Sequence, residues 1–189
     1  MATTFTRDYQ GVQVPEAGTY ALDKGHTTIE FVGRHLMITK VRGRFTDFDG
    51  QIVIGDAPED SSVAVSIETA SVDSSDEKRD GHLRSPDFLD VETFPTITFR
   101  STGVAVGPDG SAEVTGDLTI KEVTRPVILD VEFDGAQADP WGGQRLGFSA
   151  HTDIDREDWG LTWNVALETG GVLVGKKIRL ELNVEAVKQ

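Results

Sequence analysis

Residues 79–90 read RDGHLRSPDFLD, with two arginines, three aspartates and a histidine in twelve positions. Such a cluster suits an acid/base site, a metal site, or a charged lip that meets the polar end of a ligand. On a helix Asp80 and Arg84 are neighbours, and an exposed pair of that kind is worth about 0.2–0.5 kcal/mol, enough to order a loop. Acid/base use of His82 would need a nucleophile and an orienting carboxylate, and no GxSxG elbow or similar signature accompanies it. An ordering ion pair and a head-group contact involving Arg79, His82 or Arg84 are the readings that stand.

The four histidines, His26, His35, His82 and His151, show no HxH or HExxH spacing, and no EF-hand loop is present. With no cysteine in the chain, thiolate catalysis, disulfides and thiolate metal sites are excluded. No metal and no cofactor are expected. A second candidate stretch, DREDWGLTW at 155–163, places Trp159 and Trp163 around Gly160. Tryptophan has an apolar body and one N–H, so the pair suits either a plug at one end of a core or the rim of an apolar pocket.

These side chains must be positioned by strands, because a period of two dominates the sequence. Ile29, Phe31, Gly33 and His35 share one face of a strand. The alternation recurs at Val63–Val65–Ile67, Ile97–Phe99, Val127–Leu129–Val131–Phe133, Phe148–Ala150–Thr152–Ile154 and Ile178–Leu180–Leu182–Val184. Gly107-Pro108-Asp109-Gly110 and the Lys121-Glu122 corner read as turns, and Gly50 and Gly116 fall where strands bend. Ser74-Ser75-Asp76-Glu77 fits a capping box with a serine N-cap, so a short helix is expected to run to about Arg84 before Pro86 stops it. Residues 134–144 read as a long loop. Eight or nine strands and one helix predict an all-β antiparallel barrel of about eight strands. Gly33 and Ala150, small on inward faces, leave volume that is either collapsed into a solid core or occupied.

The 189 residues suit one domain, residues 18–189, preceded by an N-terminal arm over 1–17. A net charge of -14 disfavours nucleic acid and purely electrostatic docking on an anionic membrane. MATTFTRDYQGVQVPEAGTY lacks the basic and apolar regions of a signal peptide, and no run approaches the roughly 20 apolar residues of a membrane span. A soluble, cytoplasmic protein without integral membrane association is the expectation.

The blocks GHTTIEFVGRHLMITKVRGRFTDFDGQI, RDGHLRSPDFLDVETFPTITFRS, GDLTIKEVTRP and GFSAHTDIDREDWGLTWN, in this order, resemble the YceI-like family. The resemblance implies an extended lipocalin-like barrel that holds a polyisoprenoid or other long apolar ligand, as carrier, store or sensor, and has no enzymatic activity. The family's recurrent residues fall on His35, Arg42, Gly43, Phe45, Arg79, Asp80, His82, Leu83, Phe88, Phe94, Pro95 and Phe99, then on Gly116, Leu118, Asp155, Arg156, Gly160 and Trp163. The ligand-contacting set expected here is Ile29, Phe31, His35, Phe45, His82, Arg84, Phe88, Phe99, Phe148, Trp159 and Trp163. Lys121-Glu122 stands where the family usually has His-Gly, and the signal peptide of many members has no counterpart. Two other classes stay open: a ligand-free structural or stress-response protein with a collapsed core, and an enzyme using a convergent pair such as His35 with Asp155. Lipocalin-like barrels often expose an edge or loop face, which leaves a homodimer open as well.

Overall fold

The alternating runs become the wall of a closed barrel. The structure, a computed structural model, describes residues 5–168 and 170–189. A hairpin of β1 (Thr6–Tyr9) and β2 (Val12–Pro15) comes first. It is tied to the body by Arg7, whose guanidinium donates to the Gly55 carbonyl at 2.7 Å, and by the burial of Val14 and Pro15. β3 (Gly18–Leu22), β4 (Thr28–His35), β5 (Thr39–Phe45), β6 (Phe48–Ile54), β7 (Ser62–Glu68) and the two-residue β8 (Val72–Asp73) follow. Helix α1 (Glu77–Arg84) separates them from β9 (Thr96–Val106), β10 (Ala112–Ile120), β11 (Val123–Ala138), β12 (Gln144–Asp155) and β13 (Lys177–Lys188).

Eight strands close on themselves in the order β3-β6-β7-β9-β10-β11-β12-β13 and back to β3, all antiparallel. Closure depends on β13, which lies against β12 along its length. On its other side it pairs with β3 at Ala186–Lys188 and with β4 at Arg179–Asn183. The ribbon β4-β5-β8 therefore branches from β13 at the end of the barrel where Arg179–Asn183 lie. That end, which also holds α1 and the chain after β12, is called the upper end below. The lower end holds the N-terminal hairpin and the turns at 107–110 and 139–143.

Two glycines make the wall possible at aromatic crossings. A Cβ at Gly116 would stand 2.4 Å from Phe99, and one at Gly43 would stand 2.2 Å from Phe31, so each ring lies flat across a bare backbone. The sheet register also shifts between Thr115 and Gly116, the bend expected there. At Gly50 the register runs on without a shift; that glycine makes room for Leu22, which a Cβ would meet at 2.6 Å.

Three local expectations need correction. The helix is capped by Asp76, which accepts from the Arg79 N–H, and not by a serine with Glu77 reaching back. Asp80 and Arg84 do not pair: Asp80 is buried and accepts from the Ser74 N–H at 2.8 Å and the Ser74 hydroxyl at 2.5 Å. A buried carboxylate needs hydrogen bonds more than it needs a solvated partner, which explains the choice. Residues 134–138 extend β11 across a bulge between Phe133 and Gly135, and only 139–143 form the turn.

A small apolar cluster forms among the inward faces at the lower end. Tyr20, Ile54, Leu146 and Ala186 pack together there, with Tyr20 and Ala186 wholly buried. The Tyr20 hydroxyl donates to the Glu16 carbonyl and accepts from Gln144.

Candidate ligand-binding cavity

An internal cavity of about 730 Å³ runs through the barrel beside the cluster around Tyr20, from Gln13, Ser62 and Gly110 at the lower end to His35 and Trp163 at the upper. That is within the range of small-molecule sites, roughly 300–1,000 Å³. Its wall is the set of inward positions read from the alternation: Ile29, Phe31, Gly33 and His35 of β4, Phe148, Ala150 and Ile154 of β12, and Ile178, Leu180, Leu182 and Val184 of β13 all line it. Ala150 borders the open volume, whereas Ile178 reaches into the space beside Gly33, where a Cβ would meet it at 3.3 Å.

Ten of the eleven residues expected to contact ligand line this space: Ile29, Phe31, His35, Phe45, His82, Phe88, Phe99, Phe148, Trp159 and Trp163. Arg84 does not. Its guanidinium donates to the carbonyls of Ala70 at 2.9 Å and Val72 at 2.7 Å, which fastens α1 to β8.

The two tryptophans divide the roles that the sequence left open. Trp159 is buried under the upper end, with its indole N–H on the Leu118 carbonyl at 3.0 Å, so it is a plug whose polar atom is satisfied. Trp163 stands half-buried against His82, ring centroids 4.5 Å apart and edge to face, and Phe88 completes the trio at 5.0 Å from His82. His82 is oriented by Asp87, 2.9 Å from Nε2. These rings join α1 to the segment after β12 and roof the cavity.

Charge within the cavity lining is confined to the upper end, where Glu30, Arg34, Arg79 and Arg156 are its charged members beside His35 and His82. Arg156 entered the sequence reading only through the family resemblance. It is buried, and its guanidinium donates to the carbonyls of Gly175 at 3.0 Å, Val174 at 3.4 Å and Leu161. No carboxylate lies within ion-pair distance among the described residues, and burial pushes its pKa down from the usual guanidinium value. Arg79 donates to the Ser74 hydroxyl at 2.7 Å and the Ser74 carbonyl at 2.9 Å, again without an ion-pair partner among the described residues. The two arginines thus present positive charge to an apolar space whose lining holds one acid, Glu30. His35 and Asp155 do not converge: Asp155 is outside the lining and caps the turn at Arg156–Trp159 by accepting from the Glu157 N–H at 2.9 Å.

A second cluster, Asp23, His26 and Glu185, sits outside the barrel where residues 23–27 interrupt the edge between β3 and β4. Its ligand atoms are close enough for a cation, but the Arg145 guanidinium already fills that role, 2.5 Å from both Asp23 and Glu185 and 3.0 Å from Asp139. The hydrogen bonds from Arg145 and then His26 hold the Asp23 carboxyl down at about 2.

A YceI-like domain matches residues 20–186. The chain belongs to the YceI-like family. A relative from Ectopseudomonas mendocina, described as a UPF0312 protein, is 40% identical over 178 residues, covering 92% of this chain and 89% of its own. Among solved structures, a YCEI protein of Campylobacter jejuni is similar at 30% identity and a TM-score of 0.70, covering 82% of this chain and 90% of that one. A domain from Saccharophagus degradans, described as polyisoprenoid-binding, superimposes with a TM-score of 0.67 over 90% of this chain and 98% of its own. At 16% identity it shares the fold alone. The cavity by itself has the size and the apolar wall of a small-molecule site. No helix among the described residues is long and apolar enough to cross a membrane.

Proposed function

We propose that the protein carries, stores or senses one long-chain amphipathic molecule of the polyisoprenoid class. The tail lies along the barrel against Ile29, Phe31, Phe45, Phe99 and Phe148, and the head sits under the roof formed by His82, Phe88, Trp159 and Trp163, near His35, Arg79 and Arg156. One observation carries this reading: a cavity of about 730 Å³ that is apolar along its length and cationic at one end. An apolar space of that size is stable only if something apolar fills it or if the fold bears the cost of lost packing. The ligand class follows from this shape together with the description of the Saccharophagus domain.

Native mass spectrometry of protein purified without detergent, followed by organic extraction, tests the proposal. A stoichiometric long-chain isoprenoid is the expected release. A barrel that stays empty after incubation with polyprenyl alcohols and phosphates would leave the family likeness as a statement about fold.

A further inference from the structure

The β4–β5 hairpin ends in an apolar tip that the cavity does not use. Leu36, Met37 and Ile38 are 36%, 55% and 76% exposed, so three consecutive large apolar side chains stand in water. The Ile38 N–H donates to the His35 carbonyl at 3.0 Å. Leu36 and Met37 between them have φ of 52° and 59°, the left-handed conformation of a type I′ turn. That turn favours Asn-Gly and penalises side chains such as these. Apolar residues here cost stability and solubility at once. The tip is held in place: the Leu36 N–H donates to Leu173, the Gly175 N–H donates to Arg34, and Val165, itself 45% exposed, accepts from Leu173.

A second observation concerns charge. Residues 31–46 contain Arg34, Lys40, Arg42 and Arg44 and no acid, in a chain of net charge -14. Arg42 and Arg44 are neutralised by Glu181 and Asp73. Arg34 and Lys40, however, are directly opposite each other behind the tip, both exposed, and no ion pair engages either among the described residues. Like charges facing across two strands repel, and an anion between them removes that penalty.

We infer that this tip is a docking loop for an anionic phospholipid bilayer, with Leu36, Met37 and Ile38 entering the headgroup layer and Arg34 and Lys40 meeting lipid phosphates. An apolar insertion backed by basic residues is the arrangement of interfacial anchors. The overall negative charge does not oppose it, because charges beyond about 8 Å are screened at physiological salt. The exposed members of the cavity lining gather in two places, Gln13 with Ser62 at the lower end, and Arg34, His35 and Thr39 at the base of this tip. A docked tip therefore faces one entrance of the cavity toward the lipid.

This surface is independent of what fills the barrel, so the test uses vesicles without added ligand. The full chain is floated with vesicles of phosphatidylcholine alone and of phosphatidylcholine mixed with phosphatidylglycerol. The wild type is expected to float with the mixed vesicles. The double variant L36N/M37G, which installs the residue pair preferred by the turn and should keep or raise the melting temperature, is expected to remain unbound. Lys40→Glu, which creates an attractive pair with Arg34, should lower binding to the anionic vesicles about tenfold, from the free energy per basic residue at such a surface. Equal flotation of wild type and L36N/M37G, or no flotation of the wild type, overturns the inference. A wild type that doubles its mass by light scattering, while L36N/M37G does not, overturns it in favour of a second copy as the occupant.

Discussion

If the cavity's volume sets the chain length of its ligand, then shortening the cavity by a known amount must shorten the preferred ligand by the same amount. Ala150 is the position to change. It stands on β12 between Val131 and Leu182, and all three line the cavity. At roughly 30 Å³ per atom-sized group, the share of a water in the liquid, a five-carbon isoprene unit takes roughly 150 Å³, so a cavity of about 730 Å³ admits about five units. Ala150→Phe adds six carbons, or roughly 180 Å³ on the same measure, and leaves space for about four. Burying five carbons is worth a gross of about 4 kcal/mol. Ligands of this size realise nearer 0.3 kcal/mol per atom, so about 1.5 kcal/mol, or roughly tenfold in Kd, is expected per unit. Prenyl alcohols of increasing length, titrated against the fluorescence of Trp159 and Trp163, should bind about tenfold tighter per unit until the cavity is full, then no tighter. Ala150→Phe should move that break one unit shorter, leave shorter alcohols nearly unaffected, and keep the melting temperature of the empty protein, because the ring enters vacant apolar space. A break at the same length in both proteins, or affinity that ignores length, would refute the reasoning.

Three further outcomes are expected. Arg84→Ala removes two donors from the Ala70 and Val72 carbonyls and should cost about 1–3 kcal/mol in denaturant unfolding. It should leave the ratio of prenyl phosphate to prenyl alcohol affinity unchanged, and a selective loss of phosphate binding would restore a head-group role. Glu122, at φ 64° in the tight turn between β10 and β11, is better served by glycine. Glu122→Gly should stabilise by about 1 kcal/mol, visible as a rise of about 2–4 °C in melting temperature for a chain of this size. Asp23 has a folded pKa of about 2 against 3.8 unperturbed. Because the folded value is the lower one, its stabilisation is complete above 3.8 and is lost as pH falls from there through about 2. Carboxyl NMR titration should show this shift, and Arg145→Met should move the midpoint back toward 3.8.

Much of the cavity wall could be read from the period of two, because a strand with one buried face writes that face into every second residue. Ile29, Phe31, Gly33 and His35 are one example, and Phe148, Ala150 and Ile154 another. Helical spacing was a poorer guide around Asp80. It makes Asp80 and Arg84 neighbours, but burial sent the carboxylate back to Ser74 and left the guanidinium to the backbone of β8. Residues 134–138 passed for a loop because Gly135, Ala136 and Ala138 have little β-propensity, whereas the partner strand supplies their hydrogen bonds. Arg156 was recognised only through the family likeness. Its place in the cavity depends on carbonyls from Leu161, Val174 and Gly175, and no spacing in the sequence announces a contact made by a loop folding back. Asp80 and Arg156 share a lesson: buried charges follow the nearest unsatisfied backbone groups, which are a property of the tertiary fold.

The strand that closes the barrel is also the last of the barrel strands in chain order. From β6 through β12 each barrel strand lies beside one already made, so that much of the sheet can assemble as the chain emerges. Both of its margins, β3 with β4 on one side and β12 on the other, then wait with open backbone edges for Lys177–Lys188. Closure thus joins strands at opposite ends of the barrel sequence, a slow kind of contact to form. Until it happens, the apolar lining is exposed along a slit, and the nascent sheet is open to strand addition from other chains. A ligand present at that moment would be enclosed by the folding reaction itself, without passing through an entrance.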